Sequence, residues 1–133
     1  MKKNYKELLH QVSTFVFDVD GVLTDGSLLV TSKGEMLRKM NVKDGYALKT
    51  ALIKGYRICI ISGGTNPGVK ERLKGLGITD IYMGAHHKQE PLEEFLTRFG
   101  AANAPLDEPL RALSPQRLRE WAYGLGVETF TGT

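Results

Sequence analysis

Two aspartates one residue apart, Asp18 and Asp20, end a short apolar run and are followed at once by Gly21. The run Thr14 to Phe17 is β-branched and aromatic, which reads as a buried strand. Asp18 falls where that strand must stop. Open α/β sheets bind ligands at the carboxyl ends of their strands, so the first carboxylate lies where chemistry is done. Asp20 follows on the same side, two residues later. Carboxylates this close repel unless a cation or a shared proton relieves them. Mg²⁺, a hard ion that prefers oxygen ligands, is the natural relief. One aspartate can then attack phosphorus while the other gives a proton to the leaving group. A bare Asp-x-Asp-Gly is also what a polar turn after a strand looks like. The full string Asp18-Val19-Asp20-Gly21-Val22-Leu23-Thr24-Asp25-Gly26 is far more specific.

Further positions downstream have the same placement. Tyr56 to Ile61 is a second apolar strand that ends in Ser62-Gly63-Gly64-Thr65. A helix opened by Lys43-Asp44-Gly45 precedes it, with Ala47, Leu48, Ala51 and Leu52 on one face and Gly55 as its stop. Strand, helix, strand implies a parallel crossover, which brings Ser62 beside Asp18 at one sheet edge. A hydroxyl and glycine-exposed N–H groups there can hold phosphate oxygens. Asn66-Pro67 starts the next helix, with Val69, Leu73 and Leu76 as its buried stripe. A third strand, Ile81 to Met83, leads to Gly84-Ala85-His86-His87-Lys88. Lys88 again stands just past a strand and just before a helix, whose Leu92, Phe95, Leu96 and Phe99 face inward. A lysine there can neutralise phosphate and nucleophile together. His86 and His87 are adjacent, so their side chains diverge, and no third ligand stands at metal spacing; a loop role is the simpler reading.

Three stretches stand apart from this pattern. Asn4 to Gln11 reads as a lead-in helix with Tyr5, Leu8, Leu9 and Val12 on one face. Ser27 to Val42 reads as a β-hairpin turning at Ser32-Lys33-Gly34, inserted where the first strand should pass to its helix. After Leu96 the texture changes. All 11 lysines lie at or before Lys88, while four of the seven arginines lie from Arg98 onward. Ser114-Pro115 opens a further helix with Leu118, Trp121, Ala122 and Leu125 on one face, and Glu128 to Thr133 reads as a frayed tail.

The chain has 133 residues, 41% of them apolar and 25% charged, which suits one soluble domain over 1–133. No apolar run reaches the length of a membrane span, and the first residues lack a signal peptide's apolar core. The single cysteine, Cys59, excludes an intrachain disulfide and falls in an apolar strand as a structural thiol. A cytoplasmic location fits these features. The net charge of +3 comes from scattered basic residues with no interleaved aromatics, so nucleic acid is not an expected partner.

From about Val12 to Leu96 the chain resembles the haloacid dehalogenase superfamily, and D-V-D-G-V-L-T-D-G resembles its small capless branch of 3-deoxy-D-manno-octulosonate 8-phosphate phosphatases. The resemblance implies a three-layer α/β/α sandwich with a Rossmann-like parallel sheet, a hairpin flap and no large cap. It also implies Mg²⁺-dependent hydrolysis of an acidic sugar phosphate. In that scheme Asp18 attacks phosphorus, and Asp20 protonates the leaving oxygen and then activates water. Ser62, Gly63, Gly64 and Lys88 hold the phosphoryl group. Mg²⁺ bridges Asp18, the main-chain carbonyl of Asp20 and phosphate. The flap and a homotetramer complete the expected site. Two departures stand out. The family's sugar phosphatases often carry arginine where this chain has Gly64. The acidic pair that should supply a further Mg²⁺ carboxylate is not found after Gly100, since Asp107-Glu108 follows no β-run and is flanked by prolines. A scaffold that binds phosphate or assembles without turnover is therefore the alternative reading.

Overall fold

The computed structural model describes residues 5–99, 119–120 and 123–126. Two compact units divide the chain, Met1–Phe95 and Leu96–Thr133, and every candidate site residue belongs to the first. In order, the elements are α1 (Tyr5–Leu8), a 3-10 turn (Leu9–Gln11), β1 (Thr14–Phe17), β2 (Leu29–Val30), β3 (Met36–Leu37), α2 (Val42–Ile53), β4 (Arg57–Ser62), α3 (Pro67–Gly75), β5 (Asp80–Met83) and α4 (Gln89–Arg98). This is an α/β fold. Its parallel sheet has the order β1-β4-β5, with Phe17 beside Ile60 and Ser62 beside Met83. The three loops that follow these strands therefore open on one edge.

β4 fixes the layers. All five residues from Ile58 to Ser62 are buried, so both of its faces are covered. Ile58 and Ile60 point to one face and join a core with Leu48 of α2, Val69 and Leu73 of α3, and Val19, Leu23, Leu76 and Ile78. Cys59 and Ile61 point to the opposite face and are equally buried. Both helices of the first core end as the glycines after them suggest. Gly55 (φ 87°) and Gly77 (φ 97°) take the left-handed conformation, and the next N–H in each case returns to the helix, Tyr56 to the Ala51 carbonyl and Ile78 to that of Leu73. At the start of α3, the Asn66 side chain accepts from the Val69 N–H at 3.1 Å, with Pro67 at the first turn.

The sequence reading holds for β4, β5 and α3 and needs correction elsewhere. β1 is not buried on both faces. Among the described residues it is one of the sheet's two edge strands, and Phe15 and Val16 stay 37% and 42% exposed. The Phe15 ring leans instead on Phe17 and Tyr56, at centroid distances of 6.0 and 5.5 Å. In α2, Ala47 faces solvent, and Gly45 takes its place on the buried side. The lead-in helix is one turn of α-helix tightening into 3-10, and Leu9 and Val12 remain exposed. In α4 Phe95 is buried, whereas Phe99 is exposed. The hairpin exists as a separate antiparallel ribbon, much shorter than the stretch from Ser27 to Val42. Gly34 (φ 80°) forms its turn, and Thr24 and Met40 are bridged at its base. Asp107-Glu108, most of the helix expected from Ser114 and the tail from Glu128 lie outside the described residues. Of that helix, Arg119–Glu120 and Tyr123–Gly124 are helical, and Leu125 is exposed.

Leu73 is fully buried where α2, α3 and β4 meet. Leu73→Ala should lower unfolding free energy by about 2–5 kcal/mol, and Asn66→Ala by about 1 kcal/mol through the lost cap. Urea denaturation of the two variants measures both, and Leu73→Ala should be the costlier.

Candidate active site

The aspartate loop is organised around its least polar member. Val19 is only 1% exposed, and anchoring it in the core leaves Asp18 and Asp20 on either side at the surface. The Val19 carbonyl accepts from the N–H groups of Val22, Leu23 and Thr24 at 3.2, 2.9 and 3.1 Å, which winds the chain into a tight turn. Thr24 ties the knot. Its hydroxyl donates to the Val19 carbonyl at 3.4 Å and accepts from the N–H groups of Gly21 and Gly26 at 3.1 and 3.3 Å. Gly21 and Gly26 both have positive φ, 80° and 81°, so this loop needs glycine at those two places. Asp25 braces the exit by accepting from the Ser27 N–H and hydroxyl.

Each aspartate carries a basic partner. The Asp18 carboxylate accepts from the Val19 N–H through Oδ1 at 2.7 Å and from Lys88 Nζ through Oδ2 at 2.7 Å. Asp20 is gripped by the Arg38 guanidinium, with Nε to Oδ1 at 2.8 Å and Nη2 to Oδ2 at 3.3 Å. That fork outweighs the partial burial of Arg38 and raises its pKa above the ordinary guanidinium value. Ser62 lies under the site, 1% exposed, and its hydroxyl accepts from the Gly64 N–H at 3.2 Å. The Gly64 amide is thus committed within its own loop, while Gly63 is exposed. Two backbone bonds lace this loop to the one after β5: Ala85 N–H to the Ser62 carbonyl at 2.9 Å and Gly84 N–H to the Gly64 carbonyl at 3.0 Å. They set the course of the segment that carries Lys88. His86 and His87 are exposed in that segment.

The loops after β1, β4 and β5 thus bring Asp18, Asp20, Ser62, Gly63, Gly64 and Lys88 to one sheet edge, as the spacing predicts. Sequence reasoning missed Arg38 and Thr24. The first comes from the hairpin, 18 residues from Asp20, and no local pattern marks the pairing. The second was legible as the only hydroxyl inside the glycine-bounded loop. Asp20, Arg38, Gly63, Gly64 and Asn66 also line a cleft of about 700 Å³ between the hairpin and the start of α3. Among the described residues, no group of three or more His, Cys, Asp or Glu side chains could hold a metal.

Fold and site together define an α/β chain with a paired-carboxylate loop at the carboxyl edge of a parallel sheet. No protein-family model matches the chain. It is 35% identical over 91 residues to the 3-deoxy-D-manno-octulosonate 8-phosphate phosphatase KdsC of Escherichia coli (strain K12), a match that covers 68% of this chain and 48% of that one. It superposes on the crystal structure of the same-named phosphatase of Moraxella catarrhalis in complex with a magnesium ion, a phosphate ion and a KDO molecule. There the TM-score is 0.66 with 32% identity, over 72% of this chain and 55% of that one. For the cobalt-bound form of the Haemophilus influenzae phosphatase the TM-score is 0.62 with 29% identity, over 67% and 52% of the two chains. By this likeness the chain has the fold of the haloacid dehalogenase superfamily, and over the matched residues it is similar to that superfamily's 3-deoxy-D-manno-octulosonate 8-phosphate phosphatases. It spans about half the length of the curated relatives it matches.

The Asp25 contacts give a pH-dependent outcome. The Ser27 hydroxyl and N–H hold the Asp25 carboxyl below its ordinary 3.8. A lowered folded value contributes stability above the unfolded pKa and loses it as pH falls through the folded one. Ser27→Ala should move the Asp25 pKa up toward 3.8 in a carboxyl NMR titration and remove part of the contribution that is present above the unfolded pKa.

Proposed function

We propose that this chain is a Mg²⁺-dependent phosphomonoesterase acting on an acidic sugar phosphate, 3-deoxy-D-manno-octulosonate 8-phosphate or a related nonulosonate phosphate. The observation that carries the reading is the contact between Lys88 Nζ and Asp18 Oδ2 at 2.7 Å, made across 70 residues of sequence. A cation on one oxygen of the first aspartate leaves its other lone pairs for attack and provides positive charge where a transferring phosphoryl group would carry negative charge. The likeness to 3-deoxy-D-manno-octulosonate 8-phosphate phosphatases, one of them solved with magnesium and phosphate, supports the same reading.

The donor set suits the ion in kind. Mg²⁺ is commonly held through one or two carboxylates, with waters and substrate phosphate completing its shell. The Asp18 carboxylate and the Asp20 main-chain carbonyl would hold it here, and it would supply charge neutralisation between the nucleophile and the phosphate. The chain's own groups do the rest. Asp18 attacks phosphorus in line, the bond from phosphorus to the sugar oxygen breaks, and an aspartyl-phosphate forms. Asp20 delivers a proton to the departing oxygen. It then takes one from the water that attacks phosphorus, which breaks the aspartyl-phosphate bond and restores Asp18. Lys88 balances charge on Asp18 and the transferring group, and the Ser62–Gly64 loop borders it. One observation favours a second reading, a phosphate-binding scaffold without turnover: among the described residues no third carboxylate joins these two in a metal-holding group, and each is already paired with a basic side chain.

We further assign the chain to the cytoplasm as a homotetramer. No helix among the described residues is long and apolar enough to cross a membrane. The hairpin's Leu29, Val30, Met36 and Leu37 are all exposed, at 67%, 63%, 51% and 43%. A two-stranded ribbon is marginal alone in water, so these apolar faces favour association. Native mass spectrometry should return a four-chain mass; a monomer at micromolar concentration rejects the assembly.

Phosphate release from 3-deoxy-D-manno-octulosonate 8-phosphate, with and without Mg²⁺, tests the chemistry. The wild-type chain should turn over only with the ion, and Asp18→Asn should lose at least about 10³-fold in kcat. A folded wild-type chain that binds phosphate and releases none from this ester or a panel of others establishes the scaffold reading.

A further inference from the structure

Arg38 has no part in the chemistry above, yet its side chain is only 10% exposed and spends three N–H groups in one place. Nε and Nη2 fork onto the two oxygens of Asp20, and Nη1 donates to the Met36 carbonyl at 3.0 Å. That same carbonyl accepts from Asn66 Nδ2 at 3.0 Å. Strand β3 of the hairpin, the cap of α3 and the Asp20 carboxylate are therefore joined in one network. Gly64 lies beside it. A Cβ at position 64 would lie 3.4 Å from Arg38 Nη2, 3.4 Å from Asp20 Oδ2 and 3.5 Å from Ser62 Oγ. Gly64 does not have positive φ and these are ordinary van der Waals distances, so the neighbouring groups limit atoms beyond a Cβ at this position, not the Cβ itself.

The geometry points to Arg38 as the positioning residue for Asp20, a hairpin-borne fork that fixes the plane of this carboxylate over the cleft, with its guanidinium packed beside Gly64. The physical case is one of freedom. Asp20 is 41% exposed on a surface loop, and its side chain would otherwise sample several rotamers. A two-point guanidinium contact fixes both position and plane, which a single ammonium cannot do. A group that must meet a leaving oxygen loses about 10²-fold in rate when misplaced by about 1 Å. The inference rests on the phosphatase reading for what Asp20 does, but not for the interlock of hairpin and loop.

The test uses Arg38→Met, Arg38→Lys, Gly64→Val and the double variant Arg38→Met/Gly64→Val in the full chain, with circular dichroism to confirm folding. In Mg²⁺-dependent phosphate release, Arg38→Met should lower kcat by roughly 10–100-fold with KM little changed. Arg38→Lys should recover only part of the loss. Gly64→Val should reproduce the defect with Arg38 still present, and the double variant should be no worse than either single change. A raised KM with unchanged kcat, or additive losses, overturns the assignment. Trypsin cleavage after Lys33, in the hairpin turn, gives a readout without turnover. It should quicken several-fold in Arg38→Met and in Gly64→Val, and equal rates in all variants overturn the interlock. A wild-type chain that releases no phosphate defeats the phosphatase reading alone, since the cleavage rates still decide the interlock.

Discussion

The site depends on burying Val19. A valine between two aspartates is driven into the core by the apolar surface it removes from water, worth about 1.5–3 kcal/mol. With its side chain held inward, the two neighbouring carboxylates are directed outward by chain geometry alone. Its carbonyl then gathers three consecutive N–H groups and the Thr24 hydroxyl, so the turn closes on the same residue that anchors it. The hydrophobic core and the polar site share this residue. Loosening Val19 would release both aspartates together, which makes the acidic pair a product of packing as much as of its own charges.

What the sequence made legible follows from how each signal is encoded. β4, β5 and α3 were readable because continuous apolar runs and a spaced apolar stripe are local, and Asn66-Pro67 and Gly77 mark the boundaries of α3 chemically. The placement of Ser62 and Lys88 followed from topology, since parallel strands put successive loops at one edge. β1 was misjudged because its residues have the texture of a two-sided strand while the order of the described sheet leaves it at an edge. Ala47 was misjudged because four apolar residues were given one face, when Gly45, with no side chain to signal burial, occupies part of it. Arg38 was invisible for a different reason. Its partner is set by how the hairpin folds back over the loop, and a guanidinium in a polar stretch reads as solvated.

Gly64 shows how two positions can bear on one function. The resemblance leads one to expect an arginine there, and the glycine looks like a lost contact when the loop is read alone. In three dimensions the space beside Gly64 is already occupied by the Arg38 guanidinium, 3.4 Å from where a Cβ would begin. An arginine at 64 would have to share that space, and a like charge, with Arg38. A long side chain at 64 therefore meets the hairpin arginine, which links what the two positions can carry.

The two ion pairs also answer the problem that the aspartate pair poses. Adjacent carboxylates need positive charge nearby, and this chain supplies one cation to each, Lys88 to Asp18 and Arg38 to Asp20. These pairs are only partly sheltered, with the carboxylate side chains 33% and 41% exposed. Pairs in that setting contribute about 0–1 kcal/mol. Such contacts keep the site ordered and still exchange at small cost for stronger ones. An incoming metal ion or phosphate that makes several charge-assisted contacts can displace or recruit either cation without unfolding anything. A deeply buried pair would have locked the loop against any ligand, because breaking it leaves a charge without water or partner. The exposure of these carboxylates is thus what keeps a loop made rigid by Val19 and Thr24 open to chemistry.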